Sequence, residues 1–326
     1  MNRAILVTGA TGKQGGSLIR ALLADKAGFP ILALTRDTNS PSAQRLAAKS
    51  SSITLVQGDL NDTEAVFKAA EQASSHPIWG VFSVQVCAYK CSEKCLQSTR
   101  PDANGDAQLP AFNKNGPVVE RQQGEALVDS AIKHGVKHFV YSSVDRHGES
   151  SINNPTNVPH FVSKHRIEHH LIDKAKGTGM TWTILRPVAF MENFSAGFVA
   201  KVFTSSWNVV LKNARPLQLV ATDDIGVFAA KAFQDVDRFK GQSISLAGDE
   251  LTYDQMVEVF QKKTGAAPPS TWNLVARFVL WLSEEMGTMF AFFEKEGYGA
   301  NIPELKKVHP GLKDLGTWLE ENKKTN

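Results

Sequence analysis

The chain has 326 residues, 42% hydrophobic and 21% charged, a globular balance that excludes wholesale disorder and collagen-like structure. Its 36 basic and 33 acidic residues leave a net charge of +3, too small and scattered a surplus to grip nucleic-acid phosphates regardless of sequence. Three cysteines cannot frame a disulfide scaffold and fit a reducing compartment.

The N-terminus, MNRAILVTGATGKQGG, has no apolar run followed by a small-residue cleavage site, so no signal peptide is expected. Residues 4–8 (AILVT) form a strand candidate that ends in a glycine turn. Residues 15–23 follow with Leu18, Ile19, Leu22 and Leu23 on one helical face. Further strands are expected at 31–35, 53–57, 79–84, 138–142 and 182–185, and helices at 63–73, 118–134 and 164–176, with Asp62 as an N-cap. Apolar strands separated by helices predict a parallel sheet covered on both faces, a doubly wound α/β fold. Beyond Arg186-Pro187 the pattern loosens. Helices are expected at 223–233 and 253–263 and a short strand at 243–246. After Pro268-Pro269 comes an amphipathic aromatic helix over 272–293 and a Gly/Pro-punctuated tail. Arg277, Glu284 and Glu285 interrupt that helix, so it is not a membrane span. Core or lid packing accounts for it, and leftover exposed residues could serve a homodimer. The expected division is a nucleotide-binding domain, 1–187, and a smaller, mostly helical subdomain, 188–326, interleaved with the sheet or set over one edge. The polar stretch 87–110 is an insertion, because about 2–6 residues would connect a strand to a helix there.

The strongest local signal is Gly9-Ala10-Thr11-Gly12-Lys13-Gln14-Gly15, directly after a strand and opening a helix. Glycines let the chain turn tightly and approach a pyrophosphate, whose charge the first-turn N–H groups hold. A strand–turn–helix context makes this a nucleotide site rather than a plain turn. Arg36 ends the second strand, where a 2′-phosphate calls for arginine and a 2′-hydroxyl for a carboxylate. The expected cofactor is therefore NADP(H), with Lys13 as a second cation. The competing reading pairs Arg36 with Asp37. Asp59 and Leu60 end the third strand, where side chains meet the adenine edge or merely make a turn.

Together, G-x-x-G-x-x-G, Thr35-Arg36, Gly58-Asp59-Leu60 and Tyr141-Ser142-Ser143 resemble an atypical short-chain dehydrogenase/reductase with a Rossmann-type sheet. Leu185-Arg186-Pro187, Met191-Glu192-Asn193-Phe194, 222–226 (TDDIG) and 247–252 (AGDELT) narrow the resemblance to the NmrA-like family. The tail 296–300 (EGYGA) with His309-Pro310-Gly311 is similar to its fungal members. The resemblance implies NADP binding and leaves activity open, because that family includes NADP-binding co-regulators, and its relatives include reductases. Active short-chain dehydrogenases place Tyr four residues before Lys, and here the segment is His160-Phe161-Val162-Ser163-Lys164. Lys164 is expected at the nicotinamide ribose or as the acid/base group. His160 is either a proton donor or a polar helix-start residue. Ser143 could hydrogen-bond a substrate carbonyl. Met191, Asn193 and Phe194 follow the sixth strand and are expected at the substrate pocket or in the subdomain core.

Cys87, Cys91 and Cys95 share a helical spacing that could serve metal or redox chemistry, but incidental loop thiols fit better. No metal site is assigned. Two functions follow: a redox-sensing regulator that meets a protein partner according to nucleotide state, which the missing Tyr favours, or an NADPH-dependent reductase of a carbonyl, enone or aromatic metabolite. The expected location is the cytoplasm, with the nucleus as a second compartment left open.

Overall fold

The strand β1 (Ala4–Val7) is buried along its whole length, sending Ile5 and Val7 to one face and Ala4 and Leu6 to the other. That alternation sets the architecture of the computed structural model, which describes residues 3–85, 116–195 and 197–322. After β1 come α1 (Lys13–Ala24), β2 (Ile31–Thr35), α2 (Pro41–Ala47), β3 (Ile53–Gln57), α3 (Thr63–Ala73) and β4 (Ile78–Ser83). Then follow α4 (Gly116–Lys133), β5 (His138–Ser142), α5 (Pro159–Ala175) and β6 (Thr181–Pro187). Seven parallel strands make one sheet, in the order β3-β2-β1-β4-β5-β6 and then β9 (Gln242–Leu246). The strand order reverses between β1 and β4, which is where ligands bind in open α/β sheets.

Between β6 and β9 lie β7 (Ala189–Phe190), α6 (Phe198–Val210), β8 (Leu217–Val220), α7 (Thr222–Gln234) and α8 (Val236–Phe239). Helix α7 packs on α1, and Gly226 allows it: a Cβ there would stand 2.4 Å from the Ser17 carbonyl carbon. The chain thus returns to the sheet layer after leaving it at β6. A second, three-stranded sheet pairs β8 with β7 and with β10 (Asp249–Leu251). Beyond it come α9 (Tyr253–Thr264), α10 (Asn273–Leu282), α11 (Glu284–Lys295), α12 (Ile302–Val308) and α13 (Leu315–Asn322). Phe161, Phe203, Trp207, Phe260, Phe290 and Trp318 belong to the hydrophobic core on this side.

Three expectations need correction. Helix α5 starts at Pro159, not 164, because proline is preorganised for a first helical position. His160, Ser163 and Lys164 therefore share one helix. The aromatic helix is two helices, broken at Ser283, whose hydroxyl accepts the Met286 N–H at 3.2 Å and caps α11. The tail carries α12 and α13, which its glycines and prolines concealed. Among the described residues no helix is long and apolar enough to cross a membrane. The 87–110 insertion and its three cysteines lie outside the described residues.

Candidate functional site

The loop after β1 is built by close approach. Gly9 sits in the left-handed region at φ 57°, and a Cβ on Gly15 would lie 2.4 Å from the Gly9 carbonyl oxygen. Only glycine fits that turn. Gly12 caps α1 without a side chain, and the first turn holds no acid, so the N–H groups of Lys13, Gln14 and Gly15 open an uncapped helix end. Such an end attracts an anion. The loop is braced on both sides. Thr8 Oγ1 donates to the Val84 carbonyl at 3.0 Å and accepts the Val84 N–H at 2.8 Å, and Ser142 Oγ donates to Gln14 Oε1. Thr11 and Lys13 are exposed at its rim.

Arg36 is exposed at the carboxyl end of β2. It is not tied to Asp37: that carboxylate accepts the Asn39 N–H at 2.8 Å, and Arg36 enters no ion pair among the described residues. Asp59 is exposed and accepts the Asn61 N–H at 2.9 Å, while Leu60 packs against the core on one face of the sheet. These groups line the carboxyl edge of β2 and β3, beside the glycine loop.

Lys164 and His160 come from the first two turns of α5. The Lys164 ammonium lies 2.8 Å from Glu120 Oε1 of α4, and Ser163 Oγ donates to the other oxygen of that carboxylate. Gly124 makes this meeting possible, since a Cβ there would strike Ile167 Cδ1 at 2.5 Å and push α4 from α5. His160 Nδ1 contacts Glu285 Oε1, brought in by α11. Burial, with the Lys164 charge, pushes the His160 imidazole down to about 3. At that value the ring is neutral where it meets the Glu285 carboxylate. Tyr141 lies beneath; its hydroxyl has no hydrogen-bond partner among the described residues. Burial, reinforced by the Glu120 and Glu168 carboxylates, raises its phenol well above the usual value.

Ser143 does not face an open carbonyl-binding position. It is buried, and its Oγ accepts from Arg146 at 3.4 Å. Arg146 and Arg186 converge on the buried Glu168 carboxylate at 2.9 and 2.7 Å. Burial alone would raise that carboxyl, but the two guanidiniums outweigh it and hold it below the ordinary range. Arg186 of the Leu185-Arg186-Pro187 motif is therefore structural. Met191 and Phe194 are buried in the C-terminal core, and Asn193 beside them is half-buried. Glu192 accepts the N–H and hydroxyl of Thr222 at 2.9 and 2.7 Å, which caps α7 across the fold. Sequence reasoning missed Glu120, Glu168 and Glu285, whose partners lie on other elements.

The sequence model of the NmrA-like family matches residues 1–97 and 106–319. The chain belongs to the NmrA-like family. Among relatives of this NmrA-like chain is the NmrA-like family domain-containing oxidoreductase hkm9 of Aspergillus hancockii, 28% identical, covering 95% of this chain and 89% of that protein. Among solved structures, the triphenylmethane reductase of Citrobacter sp. complexed with NADP(H) superposes with a TM-score of 0.67 at 18% identity, covering 98% and 99% of the two chains. NmrA, a negative transcriptional regulator, solved in complex with NAD, gives 0.65 at 17% identity, covering 98% and 95%. At those identities the likeness is one of fold.

Proposed function

We propose that this NmrA-like protein is an NADPH-dependent reductase of a small carbonyl, enone or aromatic metabolite. One observation carries the reading: Lys164, at the helix position implied by the resemblance, is a 12% exposed ammonium fixed by a buried carboxylate, one turn from an imidazole. The glycine loop fits a dinucleotide, because the space a Cβ would take at Gly15 is already closed and the first-turn N–H groups are uncapped. Arg36, with no competing partner among the described residues, fits a 2′-phosphate as a planar fork of N–H donors. The oxidoreductase relative and the NADP(H)-bound neighbour support this reading.

When bound, NADPH supplies the hydride. Lys164 donates the proton that a reduced substrate oxygen requires, held in place by Glu120. His160, neutral and oriented by Glu285, returns a proton to Lys164 from solvent. NADPH oxidation by wild type and Lys164→Ala, against quinones, aldehydes and enones, tests the reading. Turnover lost in the variant supports it. No turnover by a wild type that binds NADPH tightly favours the regulator.

That second reading has its own support in the exposed face of α10. Trp272, Leu274, Phe278, Trp281 and Leu282 are 51–81% exposed there. The next helix carries Glu285 to His160. A partner seated on α10 would adjoin the helix that contacts His160, a route by which a regulator could respond to nucleotide state.

A further inference from the structure

His165 and His169 stand one turn apart on α5, away from the nucleotide loop. Their Nε2 atoms are 3.1 Å from each other. Each faces the same third atom, the carbonyl oxygen of Ile152, at 3.1 Å from His165 and 2.8 Å from His169. Ile152 ends the short 3-10 turn Gly148–Ile152 that follows β5.

Protons do not satisfy this triangle. A neutral imidazole carries one N–H. If both rings carry it on Nε2, both can donate to the carbonyl, but two N–H groups then crowd each other. If one ring carries it on Nδ1, the other ring's Nε2–H can be shared between the carbonyl and that nitrogen, but a nitrogen lone pair then faces the carbonyl oxygen at hydrogen-bond distance. A cation capping the triangle would satisfy all three atoms at once. We propose that His165 Nε2, His169 Nε2 and the Ile152 carbonyl oxygen form one face of a binding site for a first-row divalent transition metal.

The geometry selects the class of ion. An ion about 2.1 Å from each of three donors spaced like these sees angles of roughly 85–95°, an octahedral face rather than a tetrahedral one. Imidazole donors favour nickel, copper and zinc over magnesium or calcium. Both rings are half-buried, which leaves the outer side to water. Among the described residues no three of His, Cys, Asp and Glu gather around a metal position. Here the backbone supplies the third donor.

The neighbouring charges are already paired. Arg146 is paired with the buried Glu168. Asp173, one turn beyond His169, is paired with Lys176 at 2.8 Å. The ion would pin the 3-10 turn to the helix that carries His160 and Lys164.

The test uses the full chain, free of any tag and stripped with chelator, titrated calorimetrically with nickel chloride. One ion should bind per chain. His165→Gln and His169→Gln should each weaken binding by at least about tenfold, the lower end of what losing even a group that supports a ligand costs. Nickel should raise the melting temperature of wild type and of neither variant. His170→Gln, whose ring pairs with Asp129 instead, should match wild type. Circular dichroism confirms that each variant is folded, and either variant alone suffices. No saturable binding below millimolar nickel overturns the proposal. So does binding that both His165→Gln and His169→Gln retain, which would place the ion elsewhere, such as at the cysteines.

Discussion

Glu120 holds the Lys164 ammonium at 2.8 Å from a carboxylate that is itself only 1% exposed. Removing that charge leaves a lysine deprived of its anchor in a partly dry site. Glu120→Gln should cost about 2–4 kcal/mol in urea unfolding, below the cost of breaking a fully buried pair because Lys164 can still reach water. If the reductase reading holds, turnover should fall at least tenfold while NADPH binding changes less.

The glycine loop makes a sharper prediction. Gly15→Ala would drive a methyl group into the Gly9 carbonyl oxygen, 2.4 Å away. Nucleotide binding should be lost, read as the disappearance of NADPH fluorescence enhancement. Gly135→Ala is a control for strain alone, since its φ of 73° is strained for alanine but a Cβ there meets nothing within 4 Å. It should lower stability by about 1 kcal/mol and leave binding intact.

Arg36 should decide between the two nicotinamide nucleotides. Arg36→Ala is expected to weaken NADPH by tenfold or more and leave NADH nearly unchanged, measured by titration of both. Equal losses would remove Arg36 from the 2′-phosphate position.

Acid should unfold the protein partly through a histidine between strands. His138 is fully buried, its Nδ1 2.9 Å from Thr181 Oγ1, and burial pushes its imidazole down to about 4. The unfolded chain takes up this proton near pH 6.5 and the folded chain only near 4. Its share of stability is therefore complete above about pH 6.5 and lost as pH falls toward 4, by at most about 3 kcal/mol. His138→Gln should flatten the stability profile in that window. An unchanged slope there would mean that other groups govern it.

The apolar face of α10 predicts self-association. Large exposed patches of this kind are rare on monomers. Arg277 is the only charged residue of α10, and Glu284 follows it at the start of α11, so no cationic rim suits an anionic membrane. If the reductase reading holds, a second copy is the expected occupant. Light scattering should find a dimer, and Leu274→Glu with Trp281→Glu should give a folded monomer. A monomeric wild type would remove the second copy from that face.

The sheet and the glycine loop were legible because each strand is a short apolar run and each turn has its own chemistry. The 160–164 segment was legible as a resemblance, and the structure keeps those residues on one helix. What the sequence did not disclose are relationships across the fold. Glu120 and Glu285 are ordinary helix acids until packing brings them to Lys164 and His160. The tail motif 296–300 gains its physical reason only in three dimensions. The buried Asp145 accepts both the Gly148 N–H, at 2.6 Å, and the Gly299 N–H, at 3.0 Å. The spacing of His165 and His169 can be read from the chain, but their third neighbour is a backbone atom that no side-chain pattern announces. Ser283 split the aromatic helix because a cap followed by two acids outweighs a continuous apolar face.

Strand β9 completes the sheet at the edge of β6, and α7 covers α1, although both come from the later part of the chain. A ribosome delivering this protein exposes the β6 edge, and the uncovered side of α1, until about residue 246 has emerged. During that interval the nascent chain offers an open parallel edge to its neighbours. The first half should therefore depend on chaperones when made alone, and the two halves should work together only when synthesised as one polypeptide.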